Sequence, residues 1–332
     1  MAFPTSTSDI LATTIESRSR KVSDNVTKNN ALLTRLNQKG NIKTVSGGSL
    51  ILEEISFAEN GNGAWFSGYD LLPVAAQDVI SAAQFYLKQL AVPVVISGLE
   101  QLQNSGREQM IDLMTSRLDV AEGTMANLIS QGLYGDGTGY GGKTIVGLEA
   151  AVPYTNTNTY GGIDRGTWTF WKNQIVTRAG GGTAIPATVM QTVMNEMWVQ
   201  LVRGSDRPDL IIATNFMWAA YMNSLQAIQR FTDPSSANLG FPSIKYMDAD
   251  VVLDGGIGGF GVNASASPFT SMYFLNTKYL KFRPHKDRNM VALNPTRRYS
   301  VNQDAEVQIL GWAGALTSSG SKFQGRVLAT TV

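Results

Sequence analysis

The chain has 332 residues, 43% of them apolar and 16% charged, with a mean hydropathy of -0.07. That is material for a buried core and about two domains, and it excludes an intrinsically disordered chain. The absence of cysteine and the single histidine, His285, exclude a disulfide scaffold, thiol chemistry and any metal site needing cysteine or two imidazoles, while a net charge of +1 supplies no global field toward nucleic acid or an anionic membrane.

Residues 1–45 are polar and rich in Ser, Thr and Asn, and they carry Arg18, Arg20, Lys21, Lys28, Arg35, Lys39 and Lys43 against Asp9, Glu16 and Asp24. This reads as a basic arm without a core of its own, holding a short helix near Lys28–Asn37. The start, Met1-Ala-Phe-Pro, lacks a basic stretch leading into an apolar run, and no window of 18 apolar residues occurs. The expectation is a soluble, intracellularly made chain with neither signal peptide nor membrane span.

Residues 46–75 have strand character on either side of Asn60-Gly61-Asn62-Gly63, with Ile51, Ile55 and Phe57 before it and Trp65, Phe66 and Tyr69 after it. Asn-Gly steps supply the positive φ of a hairpin turn, so a long β-hairpin is expected. Its charges are all negative: Glu53, Glu54, Glu59, Asp70 and Asp78 lie between Thr44 and Leu87 without one Lys or Arg. A lone two-stranded ribbon is marginal in water, so it must lie on something else.

From Leu99 to Leu133 apolar residues recur mostly at three, four or seven positions, predicting a long amphipathic helix with candidate bends at Gly106 or Gly123. Tyr134-Gly-Asp-Gly-Thr-Gly139 ends it. A second helix is signalled by Pro186 and stopped at Gly204; Leu210–Ala213 reads as a buried strand, and Asn215 opens a third helix reaching about Arg230. Short strands are expected at Val251–Leu253, Met272–Leu275, Leu280–Arg283 and Glu306–Leu310. Strands after helices without regular βαβ alternation give an α+β class.

Four constellations offer chemistry. Gly137-Thr-Gly-Tyr-Gly-Gly-Lys143-Thr144 spells a phosphate loop, with Val251–Asp254 available as the magnesium-side strand, but a working loop follows a buried strand and opens a helix, whereas this one follows a helix. A Gly-rich helix terminator is favoured. His285 has no Gly-x-Ser-x-Gly partner to activate. The pairs Glu53–Glu54 and Asp248–Asp250 have no spacing that forces convergence on a cation or a glycosidic bond. No catalytic, cofactor or metal residue is therefore assigned, and no enzyme activity is expected. The Met and aromatic residues of the second and third helices, from Met190 to Met222, read as core with a ligand pocket as the minority alternative.

The fourth is a basic stretch: Lys278, Lys281, Arg283, Lys286, Arg288, Arg297 and Arg298 against Asp287 alone, interleaved with Tyr279, Phe282 and Tyr299. It suits phosphates and stacked bases, or the acidic hairpin of another copy. The second reading is favoured, because opposite charge on two remote segments of a near-neutral chain fixes register in self-association.

The succession of parts, from the arm through the acidic hairpin, the long helix broken at Tyr134–Gly139, Gly147-Leu148, Pro208–Ile212 and Leu239-Gly-Phe-Pro242 to the strand-rich return, resembles the major capsid protein of tailed bacteriophages, of the Hong Kong 97 type. The resemblance covers nearly the whole chain in order. It implies an N-terminal arm at 1–45, an extended β-hairpin loop at 46–75, a peripheral domain at 76–179 with its spine helix at 99–133, an axial domain at 180–294, and C-terminal strands at 295–332 returning to the peripheral domain. The function it implies is self-assembly, through head-to-tail contacts, into hexamers and pentamers that close an icosahedral shell around double-stranded DNA held without sequence specificity. The virion capsid, assembled in the host bacterial cytoplasm, is the implied location. The arm is too short to contain the family's scaffolding segment, so a separate scaffolding protein is expected, with a portal and a decoration protein as further partners and no membrane. An encapsulin-like compartment shell is the nearest alternative, and a phosphate-loop nucleotide-binding protein the remote one.

Overall fold

The computed structural model describes residues 30–103, 107–180, 185–225, 243–254, 271–293, 299–300 and 303–331. The chain opens with α1 (Ala31–Gln38), strands β1 (Ile51–Ser56), β2 (Ile80–Phe85) and β3 (Lys88–Ser97), then α2 (Gly98–Gln103), α3 (Arg107–Tyr134) and the short α4 (Leu148–Ala151). Small strands β4 (Thr159–Tyr160) and β5 (Ile163–Asp164) lead to β6 (Gln174–Gly180), α5 (Ala187–Leu201), β7 (Leu210–Ala213) and α6 (Asn215–Ser224). Strands β8 (Ser243–Tyr246), β9 (Ala249–Leu253), β10 (Ser271–Leu275), β11 (Leu280–Ala292), β12 (Tyr299–Ser300), β13 (Gln303–Ser318) and β14 (Gly325–Thr331) complete it.

A six-stranded sheet, in the order β6-β14-β10-β7-β9-β8, lies between two apolar clusters. Successive side chains of a strand point to opposite faces. Accordingly Leu210, Ile212, Tyr273 and Leu275 join one cluster, while Ile211, Ala213, Met272 and Phe274 join the other. The second cluster is filled from α5 and α6 by Met190, Met194, Met197, Trp198, Met217 and Tyr221, with Trp218 and Met222 packed against it. These residues are core, as their spacing indicated.

The first cluster is built on α3, whose buried residues Leu118, Ala121, Met125, Ile129 and Leu133 recur at the helical repeat. The helix runs unbroken through Gly123, and its 28 residues span about 42 Å at 1.5 Å each. Residues 104–106, the other candidate bend, lie outside the described residues. Beside α3 runs a sheet in which β13 is central, with β3 antiparallel on one side and β11 on the other; Leu310 faces both Val92 and Ala292. Here β13 is far longer than the predicted Glu306–Leu310, because Gly311 and Gly314 serve close packing instead of a turn. A Cβ on Gly311 would lie 2.3 Å from Leu293, and one on Gly314 would lie 2.5 Å from the Trp312 ring. The C-terminal strands thus divide: β13 pairs with β3 and β11, whereas β14 pairs parallel with β6 in the six-stranded sheet.

Two further expectations change. The end of the arm does have a core role: Asn30 caps α1 by accepting from the Leu33 N–H at 3.1 Å, and Leu32, Leu33 and Leu36 are buried. The third helix ends at Ser224, and residues 226–242, which hold the rest of its predicted span, lie outside the described residues. The basic residues of 1–29 do so as well.

Candidate assembly site: the ribbon and its anchor

The antiparallel ribbon is present, but its return strand is β2, paired from Ile51↔Phe85 to Ser56↔Ile80, and not Trp65–Tyr69. The Asn-Gly turn stays local, with Gly63 N–H bonding Asn60 C=O at 3.1 Å, because polar side chains stitch it to residues farther along. Gly61 N–H bonds Gln77 Oε1 at 2.8 Å, and Asn62 Nδ2 donates to Ala75 C=O at 2.5 Å. Residues 57–79 therefore form a long tip without a core of its own. Trp65, Phe66, Tyr69, Leu71, Leu72 and Val74 on it are all exposed.

The base of the ribbon is anchored in its own subunit. Along β1 burial alternates strictly, so Ile51, Glu53 and Ile55 face inward, whereas Leu52, Glu54 and Ser56 face out. Glu53 is thereby placed in an apolar row, and a buried carboxylate requires partners. Lys281 Nζ donates to Oε2 at 2.6 Å; Arg283 donates to Oε1 from Nη2 at 2.6 Å and from Nε at 3.0 Å; Thr317 Oγ1 donates at 2.9 Å. Lys281 and Thr317 are direct cross-strand partners of β11 and β13, so the sheet itself presents these donors together. Burial pushes the Glu53 carboxyl up, but the bonds from Lys281, Arg283 and Thr317 outweigh it and the net shift is downward.

A second hold is aromatic. Phe85 meets Tyr160 edge-on at 5.3 Å, Tyr160 stacks on Trp171, and Phe57 packs on Phe170 and Trp168. Gln84 N–H bonds Gly161 C=O at 2.8 Å, and Gly161 has φ +60 with Ala83 so close that a Cβ would sit 3.0 Å from it. This loop is fixed by the fully buried Arg165, which donates to the carbonyls of Ala150, Ala151 and Trp171 and to Ser321 Oγ at 2.5–3.1 Å. Burial lowers its pKa to about 10, so it remains charged at neutral pH. Sequence reading passed over Arg165, since nothing local marks an arginine whose partners are backbone carbonyls elsewhere in the chain.

The other constellations resolve differently. The phosphate-loop spelling at Gly137–Thr144 follows α3 and holds only a four-residue turn at Gly139–Gly142 that is left-handed at Tyr140, Gly141 and Gly142; the helix after it also has four residues and begins at Leu148. No buried strand precedes it and no regular helix opens on it, so the nucleotide reading is not favoured. Lys88 Nζ donates to the Gly142 carbonyl at 2.6 Å, and Asp254, the supposed magnesium ligand, is buried and bonded by Tyr134 Oη and the Ala31 N–H. Glu53 and Glu54 lie on opposite faces, Asp248 pairs with Arg207 at 2.8 Å, and Asp250 pairs with Arg35 at 3.2 Å. Among the described residues no group of three acidic or imidazole side chains is placed to hold a metal. His285 is half-buried, and its Nδ1 accepts from the Asp287 N–H at 3.2 Å.

The basic stretch splits. Lys281 and Arg283 hold the hairpin of their own copy through Glu53, and Lys278 pairs with Asp206 at 2.8 Å. This corrects the expectation that the whole stretch meets another copy: burial of Glu53 made a local countercharge obligatory. Lys286 and Arg288 are exposed, and Arg297 and Arg298 lie outside the described residues.

No family model matches the sequence, and no curated protein does. Solved structures do match: a chain of the cyanophage A-1(L) capsid asymmetric unit has a TM-score of 0.57 at 16% identity, covering 89% of this chain and 93% of that one. The capsid of a native GTA particle gives 0.57 at 13% identity over 89% and 90%, and the capsid of Myoviridae phage XM1 gives 0.51 at 11% over 89% and 92%. The chain therefore has the fold of phage capsid subunits, the Hong Kong 97-like α+β architecture that the order of its parts resembles.

Proposed function

We propose that this chain is a major capsid protein whose role is mechanical: many copies associate head-to-tail into hexameric and pentameric rings that tile an icosahedral shell around double-stranded DNA. The observation that carries this is the ribbon, held at its base by Glu53 and the aromatic cradle while its apolar tip from Trp65 to Val74 is exposed, with no cover from the described residues of its own subunit. An exposed apolar patch of that kind marks an interaction surface, and a head-to-tail contact between identical copies closes into rings. Each added neighbour engages several such contacts, so individually modest ones suffice. The fold shared with the capsid structures supports the same reading.

In this reading residues 46–85 form the extended loop, one residue block longer than the hairpin expected from the Asn-Gly turn. The sheet of β3, β13 and β11 with α3 is the peripheral domain, and the six-stranded sheet with α5 and α6 is the axial domain. Shell closure would use a separate scaffolding protein and a portal, with a decoration protein outside, and would occur in the host cytoplasm. The test is electron microscopy and sedimentation of the purified chain across protein concentration and salt. Rings or shells are expected, and nuclease-resistant DNA inside particles purified from infected cells separates a viral capsid from an encapsulin-like compartment. A chain that stays single under all conditions overturns the proposal.

A further inference from the structure

The charge segregation of the sequence is half consumed within the subunit, and what remains is on the outside. Of the five acidic residues of the ribbon, Glu53 is buried and held by Lys281 and Arg283, while Glu54, Glu59, Asp70 and Asp78 are exposed with no cation within ion-pair distance among the described residues. Three of the cations left over, Lys43, Lys286 and Arg288, lie at one edge of β11. Strand β11 loses register between Pro284 and Asn289, and the resulting bulge exposes Lys286, Asp287 and Arg288. The segment after α1 runs alongside, with Val45 N–H on Pro284 C=O and Lys286 N–H on Val45 C=O, both at 2.9 Å, which brings the exposed Lys43 to the same edge. Neither Lys43 nor Lys286 has a carboxylate within ion-pair distance among the described residues, and Arg288 reaches only Gln89, at 3.1 Å.

Bulges project side chains that a regular ladder would hold in register, and with Lys43, Lys286 and Arg288 against Asp287 this exposed edge is net positive. The same strand thus bears two cationic sets, one turned to its own ribbon and one turned to solvent. Resting on the reading of the ribbon as an intersubunit arm, we propose that the β11 bulge, with Lys43, Lys286 and Arg288, is the surface that receives the acidic tip of a second copy's ribbon. Rim charges of this kind steer encounter and fix register more than they add affinity, so the contact should decide which assembly forms and how salt affects it.

The test is charge reversal on the full chain. One variant carries Glu59→Lys, Asp70→Lys and Asp78→Lys; another carries Lys43→Glu, Lys286→Glu and Arg288→Glu; a third carries all six. Assembly is read by sedimentation, and folding by circular dichroism of the unassembled protein. Each single-sided reversal should lower the assembled fraction at least about tenfold, and the six-fold variant should regain it. Mixing the two single-sided variants should also restore rings, because tip and bulge then alternate in sign around an even-numbered ring. A single-sided variant that assembles like the wild type, or a folded six-fold variant that does not assemble, overturns the inference. Failure of the wild type itself to assemble instead overturns the capsid reading beneath it. Should a reversal not fold, the neutral set Glu59→Gln, Asp78→Asn and Lys286→Gln reads the same contact through salt. Assembly of the wild type should weaken with rising salt and that of the neutral variant should not; an unchanged salt slope counts against the contact.

Discussion

Arg283 and Glu53 stand 230 residues apart in the chain and meet at 2.6 Å, so that the return strand of one sheet fixes the first strand of the ribbon. With Lys281 and Thr317 on the same carboxylate, the pair makes the ribbon's base part of the subunit and leaves the tip as the part that reaches out.

Removing the charge at this point should loosen the ribbon. Glu53→Gln leaves two cations facing a neutral amide at a buried site, and the expected loss is about 3 kcal/mol in urea unfolding of the unassembled protein. Limited proteolysis should then cut within residues 46–85 faster than in the wild type. Because the folded Glu53 carboxyl titrates below its ordinary value of 4.5, its stabilisation is present above that value and is lost as the pH falls through the folded value. The acid limb of the wild-type stability curve should therefore flatten in Glu53→Gln.

Asp254 has the opposite sign. It is buried, accepts from Tyr134 Oη and the Ala31 N–H, and burial raises its pKa from 3.8 to about 6. Between those values the folded protein binds more protons than the unfolded chain, so this residue's contribution falls as the pH rises through the window. Unfolding free energies measured from pH 4 to 7 should differ between wild type and Asp254→Asn by an amount that changes across about pH 4–6 and is flat above about pH 7. A pH-independent difference would remove Asp254 from the titration.

The Gly-rich turn offers a paired comparison. A Cβ on Gly147 would lie 2.4 Å from the carbonyl oxygens of Gly132 and Leu133, where the chain doubles back on the end of α3. Gly141 has φ +69 but nothing within 4 Å of its Cβ position, so Gly141→Ala carries backbone strain alone, about 1–2 kcal/mol. Thermal unfolding should show Gly147→Ala as the more damaging change, above 3 kcal/mol on the scale of core overpacking combined with lost helix-end packing. Equal effects would mean that the turn tolerates displacement and can serve as a hinge.

At the tip, Trp65→Ala with Tyr69→Ala removes side chains that are fully exposed. Unfolding of the unassembled protein should change by less than about 0.5 kcal/mol. Ring or shell formation, followed by sedimentation, should be lost.

Periodicity and composition determined the helical spacing of α3, the apolar faces of α5 and α6, the strands β7, β9 and β10, and the isolation of an acidic ribbon from a basic stretch. Those are local regularities, set by 3.6- and 2-residue repeats and by which residues tolerate water. Only the tertiary structure decided that the ribbon returns at Ile80–Phe85, that Gly311 and Gly314 lie inside one long strand, that Arg165 pins a loop through carbonyls, and that Lys281 and Arg283 belong to Glu53 of the same copy. Each of these depends on what approaches from a distant part of the chain, because the partner of a strand edge, the neighbour of a missing Cβ and the countercharge of a buried carboxylate are settled by packing and not by nearest neighbours in sequence.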